Sequence, residues 1–258
     1  MFKSAIRIVL VFFSFLFCLQ GAKAQNSYVS LSPAITEIIY AIGAQDGLSG
    51  VSTECDYPAA VQKKPKIGNT YYVNKELIIR LKPDYIFADA GSEYAFNRIY
   101  STKTKPVFFR FESLNDIYKN IYEIGKYTEH EKEAQILVSS LKKSIYATKE
   151  KEPKRILYLV QTNPMISIGE KSFISDVIKA SGQISVTEEL KTAYPSISKE
   201  FALKAEPQIV VAGFRTDNNQ LFQLFPHSKI IFLSKETLDF INRPGPRIDK
   251  AVQYFSRL

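Results

Sequence analysis

The sequence predicts an α/β protein: two three-layer α/β lobes joined by one long rigid helix, with a ligand cleft between the lobes. Three observations predict it. The first is an internal repeat without a gap, in which Val73 to Ala88 aligns on Ile197 to Ala212 at an offset of 124. The second is an alternation of short apolar runs with amphipathic segments, the pattern of a parallel sheet with helices on its faces. The third is the segment Glu129–Glu152, which has helical periodicity and no Gly or Pro.

In each copy of the repeat a capping residue, Asn74 or Ser198, precedes Lys-Glu and a short helix. Pro83 or Pro207 then stops the helix, and an apolar run reads as a buried strand. Each copy therefore presents one glutamate, Glu76 or Glu200, near a helix start. A second match pairs Thr36–Gly43 with Ser175–Gly182 at an offset of 139. Both segments open on a hydroxyl and an acid, and both end on a Gly suited to a left-handed helix stop. Helix–Pro–strand order is common in α/β proteins, so duplication rests on the two matches together.

Residues 1–24 read as an export leader and lie outside the fold. Lys3 and Arg7 form a basic start, Ile8 to Leu19 is apolar apart from Ser14, and Ala22-Lys23-Ala24 is a cleavage site, so the mature chain is expected to begin at Gln25. The apolar run falls short of the ~20 residues of a membrane helix. A lipid anchor at Cys18 is the alternative, but Phe17 stands where such signals want a small residue. Export is therefore expected to place a soluble protein in the periplasm. Removal of the leader leaves Cys55 as the only thiol, so no internal disulfide can form. The mature chain carries 31 basic and 26 acidic residues, a net charge of +5 spread along its length. No dense basic patch points to nucleic acid.

The first lobe is expected over 25–128. Its strands read as Tyr28–Leu31, Leu48–Val51, Tyr85–Ala88 and Val107–Phe111, with a helix near Ala34–Ile42. The connecting helix is 129–152, with Ala134, Leu137, Val138, Leu141 and Ile145 on one face and Lys and Glu elsewhere. An ordinary long helix inside one domain would share this pattern. A stiff connector accounts for it too, and would limit hinge opening in a way a Gly-rich linker would not. The second lobe, 153–258, has strands at Arg155–Val160, Ile209–Ala212 and Ile230–Leu233. Pro246 opens a last helix with Ile248, Val252 and Phe255 on its apolar face.

An enzyme finds little support. The histidines are His130, expected inside the connecting helix, and His227, in a Pro-flanked loop. Neither is placed for a Ser-His-Asp arrangement, and no His near Cys55 in sequence suggests an activated thiol. No phosphate-binding loop and no G-x-G-x-x-G occurs. Two histidines also make a zinc or manganese site poor, so neither catalytic nor metal-ligating residues are assigned. Haem stays open, because Tyr oxygen can ligate its iron and the chain has 15 tyrosines.

Four stretches carry a family resemblance: Leu31-Ser32-Pro33-Ala34-Ile35-Thr36-Glu37, Gly50 to Pro58, Leu81-Lys82-Pro83-Asp84, and Phe240 to Ile248. On these the chain resembles the substrate-binding proteins of ABC importers for cobalamin, haem and iron-siderophores, and within that class the cobalamin-binding proteins most. The resemblance runs over the mature chain. It implies a corrinoid as transported ligand rather than cofactor, with haem or an iron-siderophore as the alternative. It also implies a monomer that docks on a membrane permease, whose arginines meet one surface carboxylate from each lobe. Glu76 and Glu200 stand at those positions, on helices expected away from the cleft. The cleft is expected at strand ends. The first lobe would supply Glu54, Asp56, Tyr57, Tyr71, Tyr72 and Gly91. The second would supply Tyr194, Phe214, Arg215, Asp239, Phe240, Asn242 and Arg243. Aromatic walls with a few polar groups suit a corrin ring fringed with amides. The chain departs from the family in having no Trp. Tyr194 stands where a Trp is expected, Glu54 where an aromatic often occurs, and Asn242 replaces an acid.

Overall fold

A computed structural model describes residues 26–69, 72–93, 103–146, 152–213 and 219–258. The leader and its Cys18, Tyr71, Phe214 and Arg215 lie outside the described residues.

The chain enters as β1 (Tyr28–Ser30), α1 (Pro33–Ala41), β2 (Leu48–Ser52), β3 (Lys66–Gly68), α2 (Lys75–Leu81), β4 (Tyr85–Asp89) and β5 (Lys105–Phe109). These strands form one sheet in the order β3-β2-β1-β4-β5, with every pairing parallel. Then come α3 (Leu114–Thr128) and α4 (Glu131–Tyr146). The second half runs β6 (Arg155–Thr162), β7 (Met165–Ser167), α5 (Phe173–Ala180), β8 (Ile184–Ser185), α6 (Lys199–Lys204), β9 (Ile209–Ala212), α7 (Asn219–Leu224), β10 (Lys229–Phe232), α8 (Lys235–Asn242) and α9 (Ile248–Ser256). Its sheet has the order β10-β9-β6-β7. In it β8 pairs parallel to the start of β6, and β7 antiparallel to its end.

Alternation along the strands explains the layers, since successive side chains point to opposite faces. Tyr28 and Phe87 enter a central core, whereas Val29, Ile86 and Ala88 pack under α2 with Ile78. In the second sheet Ile156, Tyr158, Ile209 and Val211 face the same central core, and Leu157, Leu159, Val210 and Ala212 pack with Ala202 of α6. Each sheet is therefore covered on both faces, which is why its strands read as unbroken apolar runs. The central core is continuous between the lobes: residues of α1, α3, α4, α5 and α9 all contribute to it.

The internal repeat is structural. Asn74 Oδ1 accepts from Leu77 N at 3.0 Å, and Ser198 Oγ from Phe201 N at 3.1 Å, so both caps form as expected. Lys82 and Glu206, 124 apart, close the two helices with φ of 47° and 44°. The match continues past the aligned stretch: Thr104 Oγ1 donates to Pro83 O and Ser228 Oγ to Pro207 O, at 2.7 and 2.5 Å. Lys105 N and Lys229 N likewise donate to Asp84 O and Gln208 O, both at 2.9 Å. In the second match Gly43 and Gly182 adopt φ of 75° and 80°, a conformation glycine takes without strain. The helices there start at Pro33 and Phe173, three and two residues before the expected hydroxyls. Ser32 and Ser172 occupy the N-caps, and only the Ser172 hydroxyl accepts a capping bond.

Two other boundaries differ from expectation. Helix α4 begins at Glu131 rather than Glu129, because Glu129 turns left-handed (φ 61°) and closes α3. His130 therefore sits in the joint, its Nδ1 2.5 Å from Thr128 O. The helix in the connecting segment is 16 residues long, Glu131–Tyr146, and residues 147–151 lie outside the described set. Gly125 lets α4 approach α3, since a Cβ there would stand 2.6 Å from that of Ala134. The last helix starts at Ile248, after a turn that holds Pro246, with Ile248, Ala251, Val252 and Phe255 buried.

Candidate functional site

The site begins where parallel strands end. Ser32 follows β1, Asp89 ends β4 with Ala90 and Gly91 behind it, and Phe109 ends β5 with Arg110 and Phe111 behind it. From the second lobe come Phe173 at the start of α5, Tyr194 in the loop before α6, and Asn242, Arg243 and Pro244 at the end of α8. These residues, with Pro33 and Ala34, line one cleft of about 460 Å³ between the lobes. The carboxyl ends of parallel strands are the usual place for a ligand in such sheets, because the chain leaves each strand there in opposite directions.

The walls are aromatic with sparse polar groups. Phe109 and Phe173 are buried beneath the surface, and Tyr194 stands 54 % exposed at it. Asn242, exposed on the cleft wall, accepts through Oδ1 from the buried Tyr158 hydroxyl at 2.8 Å. Burial pushes the Asp89 carboxyl up to about 6; nearby Glu54 adds to this and a hydrogen bond with Ser32 opposes it.

Beside the cleft an ionic cluster ties the lobes together. Glu37 of α1, its side chain 1 % exposed, accepts from Arg247 Nε at 2.7 Å and Nη2 at 2.6 Å, a bidentate pair. Arg243 Nη1 donates to Glu37 Oε1 at 3.1 Å and to Asp56 Oδ1 at 2.7 Å, while its Nη2 lies 3.2 Å from Asp239 Oδ1. Arg247 stacks over the Tyr57 ring at 4.3 Å. Burial alone would lower the Arg243 pKa, but its hydrogen bonds to Asp56 and Glu37 raise it, so the guanidinium stays charged. The hydrogen bond from Arg243 in turn holds the Asp56 carboxyl below the usual range.

Of the residues expected at the cleft, Gly91, Tyr194, Asn242 and Arg243 line it, while Asp56, Tyr57 and Asp239 surround the arginines next to it. Glu54 is exposed close to Asp89. Tyr72 is 68 % exposed and does not line the cleft. Phe240 packs edge-on against Tyr254, so it belongs to the core margin. Asp239, Phe240 and Asn242 lie on helix α8, not on a strand-end loop. Sequence reasoning passed over Asp89, Phe109, Phe173, Glu37 and Arg247. The strand-end rule reaches Asp89 and Phe109. Glu37 and Arg247 stand inside stretches that carry the resemblance, but nothing in those stretches says that they meet.

Glu76 and Glu200 occupy the first turns of α2 and α6 and are exposed. A helix between parallel strands runs back against them, so both helices start from the same rim as the cleft. The carboxylates thus belong to the cleft rim, though they do not line the cleft. Glu200's own backbone amide, then the Ser198 hydroxyl, hold its carboxyl below the usual range. Cys55 is buried with its Sγ 3.2 Å from Thr36 Oγ1, and burial pushes the thiol up, the reverse of an activated nucleophile. Among the described residues no cluster of three His, Cys, Asp or Glu could hold a metal.

A two-lobed α/β scaffold with a cleft between the lobes, at the carboxyl ends of parallel strands, is an architecture suited to capturing a ligand. The chain belongs to the periplasmic binding protein family, which it matches over residues 29–225. It is 25 % identical over 240 residues to a vitamin B12-binding protein of Yersinia pestis, covering 90 % of this chain and 85 % of that protein. Among solved structures it resembles a possible iron-binding periplasmic solute-binding protein of Staphylococcus epidermidis, with 26 % identity, a TM-score of 0.79, and coverage of 91 % of this chain and 98 % of that one. The periplasmic vitamin B12-binding protein BtuF of Vibrio cholerae aligns with 25 % identity and a TM-score of 0.71, over 90 % of this chain and 96 % of that one. The periplasmic haem-binding protein HutB of the same species shares the fold at 19 % identity and a TM-score of 0.75, over 90 % and 98 %.

Proposed function

We propose that this protein captures cobalamin or a related corrinoid in the periplasm and delivers it, unchanged, to the membrane permease of an ABC importer. The observation that carries the reading is the cleft itself: Phe111 and Tyr194 offer aromatic surface over the buried Phe109 and Phe173, and Asn242 offers an amide to a ligand fringed with amides. The likeness to vitamin B12-binding proteins over most of the chain supports the same ligand. The exposed Tyr194 phenol on the cleft wall favours haem as the second reading, since a tyrosine oxygen can ligate its iron.

Glu76 and Glu200 are the docking carboxylates in this reading. They come from matched caps in two lobes and belong to the cleft rim, where a permease could receive the ligand. Each would form a charge-assisted, bidentate contact with an arginine. In vesicles with the reconstituted permease, Glu76→Ala with Glu200→Ala should abolish most transport while calorimetry still finds ligand bound. Reversal of both to Lys should be worse, because like charges then face each other. Normal transport by the double variant, or loss of ligand affinity in its place, would refute the docking assignment.

A further inference from the structure

The cleft has an electrostatic property that its aromatic walls do not predict. Three acidic or basic side chains are found on its described walls: Asp89, Arg110 and Arg243. Both arginines are engaged by the protein's own carboxylates. Arg110 Nη1 donates to Glu112 Oε1 at 3.1 Å. Arg243 faces Glu37, Asp56 and Asp239 at 3.1, 2.7 and 3.2 Å. Arg247, its neighbour, is bidentate on Glu37. The cluster of Glu37, Asp56, Asp239, Arg243 and Arg247, with Lys235 acting on Asp56, therefore sets three positive charges against three negative. Asp89 adds a further negative charge when ionised.

The three carboxylates are not equivalent. Glu37 is 1 % exposed and lies beneath Arg243, where it satisfies the buried side of the guanidinium. The Asp56 and Asp239 side chains are 40 % and 27 % exposed and sit on its open side. An arginine that had only to brace the lobes needs Glu37 alone. Two further acids flank the more exposed side of Arg243, Asp56 hydrogen-bonded to Nη1 and Asp239 ion-paired 3.2 Å from Nη2, and both compete with a ligand carboxylate for the guanidinium.

We propose that Asp56 and Asp239 are specificity residues: they keep Arg243 from the ligand, so that the cleft takes a ligand side chain ending in an amide and refuses the same chain ending in a carboxylate. The proposal rests on the corrinoid reading and deepens it. Corrinoids present neutral amides around the ring, whereas haem presents two propionates.

The test compares cyanocobalamin with its monocarboxylates, in which one ring side-chain amide is hydrolysed to the acid. Calorimetry at pH 8 would be run on the wild type, on Asp56→Asn, and on Asp56→Asn with Asp239→Asn. The quantity read is the ratio of the two affinities, not either one alone. The wild type should prefer the amide form at least tenfold. The double variant, which keeps Glu37 beneath Arg243, should cut that preference to about threefold or less, with the single variant between. If the double variant does not fold, the single variant carries the test, because its substitution is isosteric and partly exposed. Equal wild-type affinity for the two forms, or a preference that survives both substitutions, overturns the proposal. Failure of the wild type to bind cyanocobalamin at all overturns the corrinoid reading instead. Haemin and haemin dimethyl ester, titrated against the same three proteins, then decide the charge claim: ester preferred by the wild type and lost in the variants supports it, and equal binding throughout refutes it.

Discussion

Glu37 joins the lobes by charge. Its carboxylate is withdrawn from water and satisfied by two guanidinium groups from the other end of the chain. A buried ion pair is weak evidence of net stabilisation, but removal of one partner leaves buried charge unmatched and costs about 3–5 kcal/mol. Glu37→Ala should therefore lose stability on that scale in urea denaturation, and a loss below about 1 kcal/mol would contradict the buried cluster. Asp89 carries a pH dependence of opposite sense to most carboxylates. Its folded pKa of about 6 lies above the ordinary 3.8, so its charged form is the disfavoured one in the fold. Stability falls as pH rises from about 4 to 6 and stays lower above that. Asp89→Asn, a neutral mimic, should stabilise the protein at pH 8 by up to about 3 kcal/mol, a bound set by the two-unit difference. The gain should vanish by about pH 4; a gain independent of pH would place its cause elsewhere. At this scale the sequence was informative where a residue stands in a polar loop at a strand end, as with Gly91 and Tyr194. It was silent on Glu37 meeting Arg243 and Arg247, because contacts more than 200 residues apart leave no local pattern.

The elements were legible where an apolar run lies between strong breakers. The strand Ile209–Ala212 matches its expected bounds, and β1, β4 and β6 differ by one or two residues at an end. Short pieces such as β3, β7 and β8 escaped, since two or three residues carry no period. Helix α8 escaped because its eight residues hold few apolar positions; one of them, Ile241, is fully buried. The connecting segment shows how tertiary structure refines a pattern. Periodicity placed Ala134, Val138 and Leu141 on the buried face correctly, yet Glu129 ends the preceding helix instead of starting this one. Rigidity also has a broader source than one helix. Helices α3 and α4 pack closely at Gly125 and Ala134, and the central core runs through them into both lobes. Hinge opening would have to expose that core. Solution scattering should give almost the same radius of gyration with and without ligand, and marked compaction on binding would contradict it.

At the scale of the whole molecule, two copies of one structural unit face each other across a shared core, and their strand ends make the cleft that neither makes alone. The duplication visible in sixteen aligned residues extends through backbone conformation and hydrogen bonding to the ends of β5 and β10. It also explains why one carboxylate from each lobe reaches the same rim. What the cleft holds is the central question, because capture of a corrinoid gives the aromatic walls, the engaged arginines and the paired rim glutamates one purpose. Calorimetric titration of the purified mature protein with cyanocobalamin and with haemin tests this most directly. The account predicts binding of cyanocobalamin in clear preference to haemin; tight haemin binding with no response to cyanocobalamin would contradict it.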